Sequence, residues 1–330
     1  MKKVLVILLV LACAFGTLYA GGGSDSSKGL TLSATSGGMS ASSPAGRGLA
    51  KFAELVNQYS EGAITVKVFY DTTLGNATSA VSGMVQGTVD LVVCGDSYYS
   101  GLVPEIQAFE LPFMFSDKED ARSAVNGEPG QYIFDKLDQK GIHGLAFWEI
   151  GFRQLTNNVR VVKTPADLKG IKLRCLPATY QVTAWDAAGA MPVPMDVSEL
   201  YSSLQQGVVD GQENPVSEIY AQRFYEVQKY ISMTNHVYTP MLFSISGIRW
   251  AQLDDAQKDI ILRAAKDAQQ EVYNINDSEE ASLLDEMVSS GNLELNTEVD
   301  SEAFKSAMQP AYDLFEKDYG SEFIDLLQSN

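Results

Sequence analysis

The sequence predicts an α/β fold built as two domains of similar design, and three observations lead there. Helical and strand periodicities alternate along the chain, one helix–glycine–strand unit occurs twice, and one periodic run is too long for an ordinary globular helix. Such alternation argues for helices layered on a largely parallel sheet. The 330 residues suffice for two domains of typical size.

The chain opens with Lys2 and Lys3, twelve apolar residues from Val4 to Phe15, and a small residue at Ala20, the three-part pattern of an export signal over residues 1–20. Twelve helical residues reach about 18 Å, short of the roughly 30 Å hydrocarbon core of a membrane. Val10-Leu11-Ala12-Cys13 offers a second reading, a loose lipobox that would anchor the chain through Cys13. Residues 21–28, rich in Gly and Ser, read as a flexible spacer. Cys94 and Cys175 have apolar flanks, which favours two buried free thiols over a disulfide.

Leu30 to Ala34 alternates as a first strand. A helix is expected from Pro44 to about Tyr59, with Leu49, Phe52, Ala53 and Val56 on one face, and Ile64 to Phe69 alternates again. Asn76 to Gln86 reads as a helix stopped by Gly87, and Val89 to Val93 as the strand that follows. Further on, Asp196 and Glu199 have capping-box spacing; the helix they open runs to Gln206, Gly207 stops it, and Val208-Val209-Asp210 starts a strand. Gln86-Gly87-Thr88-Val89-Asp90 is thus echoed 120 residues later by Gln206-Gly207-Val208-Val209-Asp210.

Between these units, Thr164, Pro165 and Asp167 supply the N-cap, N1 and N3 residues of a short helix that Gly170 ends. Ile171 to Cys175 then alternates as a strand, with Ile171, Leu173 and Cys175 facing the core. Arg174 falls on the other side, near the C-terminal end of the strand, where open α/β sheets form their ligand crevices. From Asp254 to Ser290 there are 37 residues without Gly or Pro. Asp254 and Gln257 have capping-box spacing, and Ile260, Ile261, Ala264, Ala265, Ala268 and Val272 recur at three and four, continued by Leu283, Leu284, Met287 and Val288. One helix lying across both domains is expected, because the alanine-rich seam lacks the sustained heptads of a coiled coil.

Composition narrows the function. With 42 acidic and 24 basic side chains the formal charge is −18, and loss of Lys2 and Lys3 with the signal makes it −20. Nucleic acid is excluded as a partner, because phosphate binding needs a basic footprint. There is no His-Glu-x-x-His, no Cys-x-x-Cys and no Gly-x-Ser-x-Gly. His143 and His236 are the only histidines, too few for a three-His metal site, and read as surface or hydrogen-bonded structural residues. No metal, cofactor or catalytic residue is expected. What remains is Arg174, which either makes a surface salt bridge or clamps a carboxylate through its planar fork. Arg153, in Gly151-Phe152-Arg153, is a second cation of the same kind.

The run Asp167-Leu168-Lys169-Gly170-Ile171-Lys172-Leu173-Arg174 resembles a signature of the solute-binding proteins of tripartite ATP-independent periplasmic (TRAP) transporters. So does the stretch from Ser198 to Pro215, with Gln212-Glu213-Asn214-Pro215 at its end, and Phe224 to Tyr230 and Met233 to His236 continue it. The resemblance implies a periplasmic-binding-protein-like (type II) clamshell: two α/β domains, a hinge and a long domain-spanning helix. Domain I would hold residues 29–150 plus 241–280, and domain II 151–240 plus 281–330. It implies a monomer in the periplasm that captures a carboxylate and delivers it to an ion-gradient-driven membrane permease. A subunit of an ATP-driven importer and a secreted enzyme acting on a carboxylated sugar are the alternatives of other classes.

For the site, the resemblance implies Arg174 as the carboxylate clamp, Arg153 as its supporting cation and Asn214 as a ligand-binding amide. Val197 stands where sialic-acid-binding members have a cleft-lining Phe, which argues against their larger ligand. Thr35, Asn76 and Asp96 sit near ligand-contacting positions of the N-terminal domain. Asn214, Asn76 and Asp96 suit hydroxyl groups better than a second carboxylate, so the expected solute is a hexuronate or related sugar acid, with a C4-dicarboxylate or 2-oxo acid as the alternative.

Overall fold

The computed structural model describes residues 29–329; the export signal, the spacer and Cys13 lie outside them. The strands are β1 (Leu30–Thr35), β2 (Ile64–Phe69), β3 (Leu91–Gly95), β4 (Ile142–Asn157), β5 (Lys172–Cys175), β6 (Met191–Pro194), β7 (Gly211–Pro215), β8 (Tyr230–Ser232), β9 (Tyr238–Ser246) and β10 (Glu294–Asn296). Eight follow one path, β2-β1-β3-β9-β4-β7-β5-β6, while β8 joins β4 and β10 joins β8. The two flanks are built alike: β1 pairs in parallel with β2 and β3, and β5 in parallel with β6 and β7. Antiparallel β9 and β4 join them. The architecture is the α/β fold of two similarly built flanks that the sequence predicts.

The short sequence echo has a physical basis. Gly87 and Gly207 both take left-handed backbone, φ +75° and +70°, to end their helices. Asp90 then accepts from Ser33 N–H at 2.8 Å, and Asp210 accepts from Lys172 N–H at 2.8 Å. In each flank the same aspartate ties the turn to the central parallel strand. The strands begin at Leu91 and Gly211, later than expected, because the residues before them serve in these turns. The capping box expected at Asp196 and Glu199 does not form: Asp196 accepts from Ser198 N–H at 3.0 Å and opens a short 3-10 turn, followed by the helix Leu200–Gln205.

Strand β4 carries the connection between the flanks. It pairs with β9 as far as Phe152 opposite Tyr238, then with β7 from Arg153 opposite Pro215. Register shifts at Gly144/Ala146 and Glu149/Gly151, with φ +108° at Gly151, loosen the ladder just before this hand-over. Arg153 therefore stands at the junction of the two flanks. Cys94 and Cys175 are free and buried.

The long helix is Asp255–Ser289, opened by a capping box in which Asp254 accepts from Gln257 N–H and Gln257 from Asp254 N–H, at 2.8 and 3.1 Å. Its first half buries Ile261, Ala264, Ala265, Ala268 and Val272 with Phe52, Trp148 and Phe243. Near its end, Met287 packs with Leu200, Leu204 and Ile219 on the other flank. Between the two apolar stretches, Asp277, Glu279 and Glu280 pair with Arg122, Arg47 and Lys118. One helix thus contributes to the cores of both flanks.

Its approach to the helix Pro44–Tyr59 depends on Gly48. A β-carbon there would lie 2.5 Å from Val272 Cγ2 and 2.9 Å from Trp148 Cζ3. Gly48→Ala is expected to lower stability by about 1–3 kcal/mol through overpacking, read as a drop in the urea midpoint with unchanged slope. An unaltered midpoint would mean that this helix pair is not closely packed.

Candidate functional site

The carboxyl ends of the parallel strands converge on one cavity. Met39 follows β1, Gly95 and Tyr98 lie at the end of β3, Arg174 and Leu176 at the end of β5, Val197 after β6, and Asn214 and Glu218 at and beyond the end of β7. Ile150 and Arg153 of β4 and Thr239 of β9 complete its lining, around some 340 Å³ of atom-free space that includes the mouth. Ligand crevices of open α/β sheets form at these strand ends because the chain leaves the ladder there and the side chains lose their sheet neighbours. A larger groove lies among the long helix and the helices Pro44–Tyr59 and Val216–Ala221, but it lacks an arginine free of a carboxylate, since its Arg47 is bound bidentately by Glu279.

Arg174 does not face solvent; it is fully buried. The surface salt bridge is therefore ruled out. Its Nε and Nη2 donate to the Met195 carbonyl at 3.0 and 2.8 Å, while Nη1 has no partner and the guanidinium no carboxylate among the described residues. A buried cation with an idle donor is unfavourable unless an anion meets it. Tyr98 adds a second idle donor, a buried hydroxyl whose titration burial pushes up, so it stays a neutral phenol.

Arg153 is just as buried but fully used. Its Nε and Nη2 bind the Glu213 carboxylate, Nη2 also reaches Asn214 Oδ1 at 3.0 Å, and Nη1 donates to Thr239 Oγ1 at 3.1 Å. His236 Nε2 lies 3.1 Å from the same Glu213 carboxylate, and its Nδ1 lies 2.7 Å from Thr234 Oγ1. Burial alone would raise the Glu213 carboxyl, but Arg153 and His236 outweigh it and hold it down at about 2. Arg153 and Glu213 are thus a neutral pair. Asn214, held by Arg153, donates in turn to Gln212 Oε1 at 2.6 Å, which fixes the amide's orientation at the cavity wall.

Three further carboxyls matter here, Glu218 in the lining, Glu110 bonded to the lining residue Thr239, and Asp96 next to Gly95, and burial pushes each towards its neutral form. Asp96 and Glu110 are both raised, first by burial; Asp96 is raised further by Glu110 beside it, and Glu110 is opposed by Arg153. Burial raises Glu218 to about 7. The wall therefore offers one uncompensated cation, one arginine neutralised by the glutamate behind it, and one acid, Glu218, inclined to hold its proton. Such an arrangement can accept one carboxylate and hydrogen-bond to polar groups beside it.

Arg174, Arg153, Asn214 and Val197 share this lining. Thr35, Asn76 and Asp96 do not. Thr35 Oγ1 accepts from Gly37 N–H at 3.3 Å, Asn76 caps its helix by accepting from Ser79 N–H at 3.0 Å, and Asp96 is fully buried, accepting from Ser97 N–H at 2.9 Å. Met39, Tyr98, Thr239 and Glu218 line the cavity without a sequence signal, since each lies in a turn or element whose partner across the sheet is far away in the chain.

Residues 35–318 match the family described as bacterial extracellular solute-binding protein, family 7, DctP, and the chain belongs to that family. It is 34% identical over 280 residues to the 2,3-diketo-L-gulonate-binding periplasmic protein YiaO of Escherichia coli strain K12, covering 84% of this chain and 85% of that one. Its fold is similar to that of the sugar acid binding protein of Advenella mimigardefordensis strain DPN7T in complex with galactonate, at TM-score 0.86 and 31% identity over 92% of this chain and 99% of that one. It is similar as well to a TRAP periplasmic solute-binding protein of Sulfurospirillum deleyianum with bound succinate, at TM-score 0.86 and 32% identity over 91% and 98%. The chain is a TRAP solute-binding protein, a transport component and not an enzyme. The family's proteins are periplasmic and work with TRAP membrane permeases, and no helix of the described residues is long and apolar enough to cross a membrane.

Glu213→Gln removes the anion that compensates Arg153. Breaking a buried pair from one side is expected to cost about 3–5 kcal/mol at neutral pH. Because the folded carboxyl is held at about 2, below its ordinary 4.5, its contribution is present above pH 4.5 and lost as pH falls towards 2. The stability gap between wild type and variant should therefore close over that interval. Unfolding curves at pH 7 and at steps down to pH 2 test this, and a gap independent of pH would contradict it.

Proposed function

We propose that this protein captures a hydroxylated monocarboxylate, a hexuronate or related sugar acid, between its two flanks and presents it to a membrane permease. The observation that carries the reading is the idle Nη1 of buried Arg174 at the cavity wall. Arg153, the other arginine of the lining, is spent on Glu213, so a second ligand carboxylate would find no free cation there. The relatives that bind diketogulonate and galactonate support a sugar acid. The succinate-bound relative keeps a C4-dicarboxylate as the second reading.

In this reading residues 29–150 plus 241–280 and 151–240 plus 281–330 act as two domains that close about β4 and β9, and the protein works as an exported monomer. A β-carbon built on Gly38 of one flank would lie 3.6 Å from Val197 Cγ1 of the other, so the two flanks come near each other beside the cavity, which supports a cleft that can close. Closure of this kind buries ligand and excludes water.

Arg174→Lys keeps the charge but loses the aligned fork. Truncating a buried charged contact costs roughly 2–5 kcal/mol, so hexuronate affinity should fall at least tenfold by calorimetry. Equal affinity would remove Arg174 from the site. A thermal-shift panel of glucuronate, galacturonate, gluconate, sialic acid, succinate, malate and 2-oxo acids identifies the solute, since a ligand at about a hundredfold excess over Kd stabilises by about 2.7 kcal/mol. A shift with succinate or malate and none with any sugar acid would favour the dicarboxylate.

A further inference from the structure

Glu218 is the one carboxyl among the residues that line the cavity, and no arginine is hydrogen-bonded to it among the described residues. It is fully buried on the helix Val216–Ala221, directly after β7, and lines the cavity that Arg174 serves. Its Oε2 receives only a long contact from Gln222 Nε2 at 3.5 Å, and its Oε1 has no partner among the described residues. Arg153 stands close enough for its charge to be felt but its donors are committed to Glu213, Asn214 and Thr239. Two fully buried side chains on one wall thus have idle polar atoms of opposite kind, the donor Nη1 of Arg174 and the acceptor Oε1 of Glu218.

We propose that Glu218 is the specificity residue of the cleft: it accepts a hydrogen bond from a ligand hydroxyl and rejects a second ligand carboxylate. This rests on the reading of Arg174 as the carboxylate clamp. The chemistry follows from what each ligand group brings. A hydroxyl can donate to the idle Oε1 when the carboxyl is ionised and accept from the carboxyl when it is protonated, so it meets this group in either state, and a buried polar atom left unmet is unfavourable. A carboxylate brings only acceptors. An ionised Glu218 repels it, and a protonated Glu218 leaves the second ligand charge buried without a cation. A site built to hydrogen-bond a ligand hydroxyl discriminates strongly against an analogue without one, because its own polar groups then go unpaired.

The test uses the mature protein, calorimetry, the best-binding hexuronate of the panel, and succinate. Glu218→Gln keeps the shape and an acceptor but can never ionise, and its amide can donate to a carboxylate. Glu218→Ala removes the contact. The expected result is that Glu218→Ala weakens hexuronate at least about tenfold while Glu218→Gln weakens it less, and that in both the preference for hexuronate over succinate falls at least about tenfold. Thermal unfolding without ligand shows that each variant is folded, and Glu218→Gln alone carries the test if the alanine variant is not. Arg174→Ala is the control. If it abolishes binding while the preference in the Glu218 variants stays within about threefold of wild type, the role of Glu218 is overturned and the clamp stands. If Arg174→Ala binds hexuronate as wild type does, the clamp itself is wrong. A wild-type protein that binds succinate as tightly as any hexuronate also overturns the role given to Glu218.

Discussion

A guanidinium buried without a carboxylate is the constraint around which the cleft is organised. Arg174, in the cavity lining, gives two of its donors to one carbonyl, that of Met195, and leaves a third without a partner among the described residues. Water can solvate a cation that protein does not, but a fully buried side chain has little access to it. A buried charge of this kind calls for a counter-ion. Neighbouring groups are arranged so that this demand is not satisfied from within. The strong anion nearby, Glu213, is committed to Arg153 and His236, and burial inclines the remaining acids to keep their protons.

That arrangement requires a scaffold able to bring separate strand ends to one point. Two flanks of parallel strands, β2-β1-β3 and β6-β5-β7, present their carboxyl ends on either side of β9 and β4. Asp90 and Asp210 fasten equivalent turns in the two flanks, and the long helix packs against both cores. The hand-over on β4 falls at Phe152 and Arg153, so the residue that anchors Glu213 and Asn214 is also the one at the crossing. Mechanical connection and electrostatic compensation meet in a single side chain.

Much of the fold was legible in the chain because it depends on local patterns. Periodicity and turn glycines give β1, β2 and the helices Pro44–Tyr59 and Asp255–Ser289 close to their observed bounds. Strand β4 is different. Its sixteen residues are buried almost throughout, so no alternation marks them, and its partners come from three other strands. The five-residue echo was weak as a string yet sound as structure, since each of its glycines and aspartates has a local duty.

The sequence by itself determined the fold class, the repeated unit and the family, and it singled out Arg174 as a candidate, because each rests on a local pattern or a motif. Only the tertiary structure decided that Arg174 is buried with an idle donor while Arg153 is neutralised. It also decided that Thr35, Asn76 and Asp96 stand back from the lining and that Tyr98 and Glu218 belong to it. The physical reason is that charge compensation is a matter of which side chains meet across strands. Arg153 and Glu213 are sixty residues apart in the chain and in contact only because β4 and β7 are neighbours in the sheet.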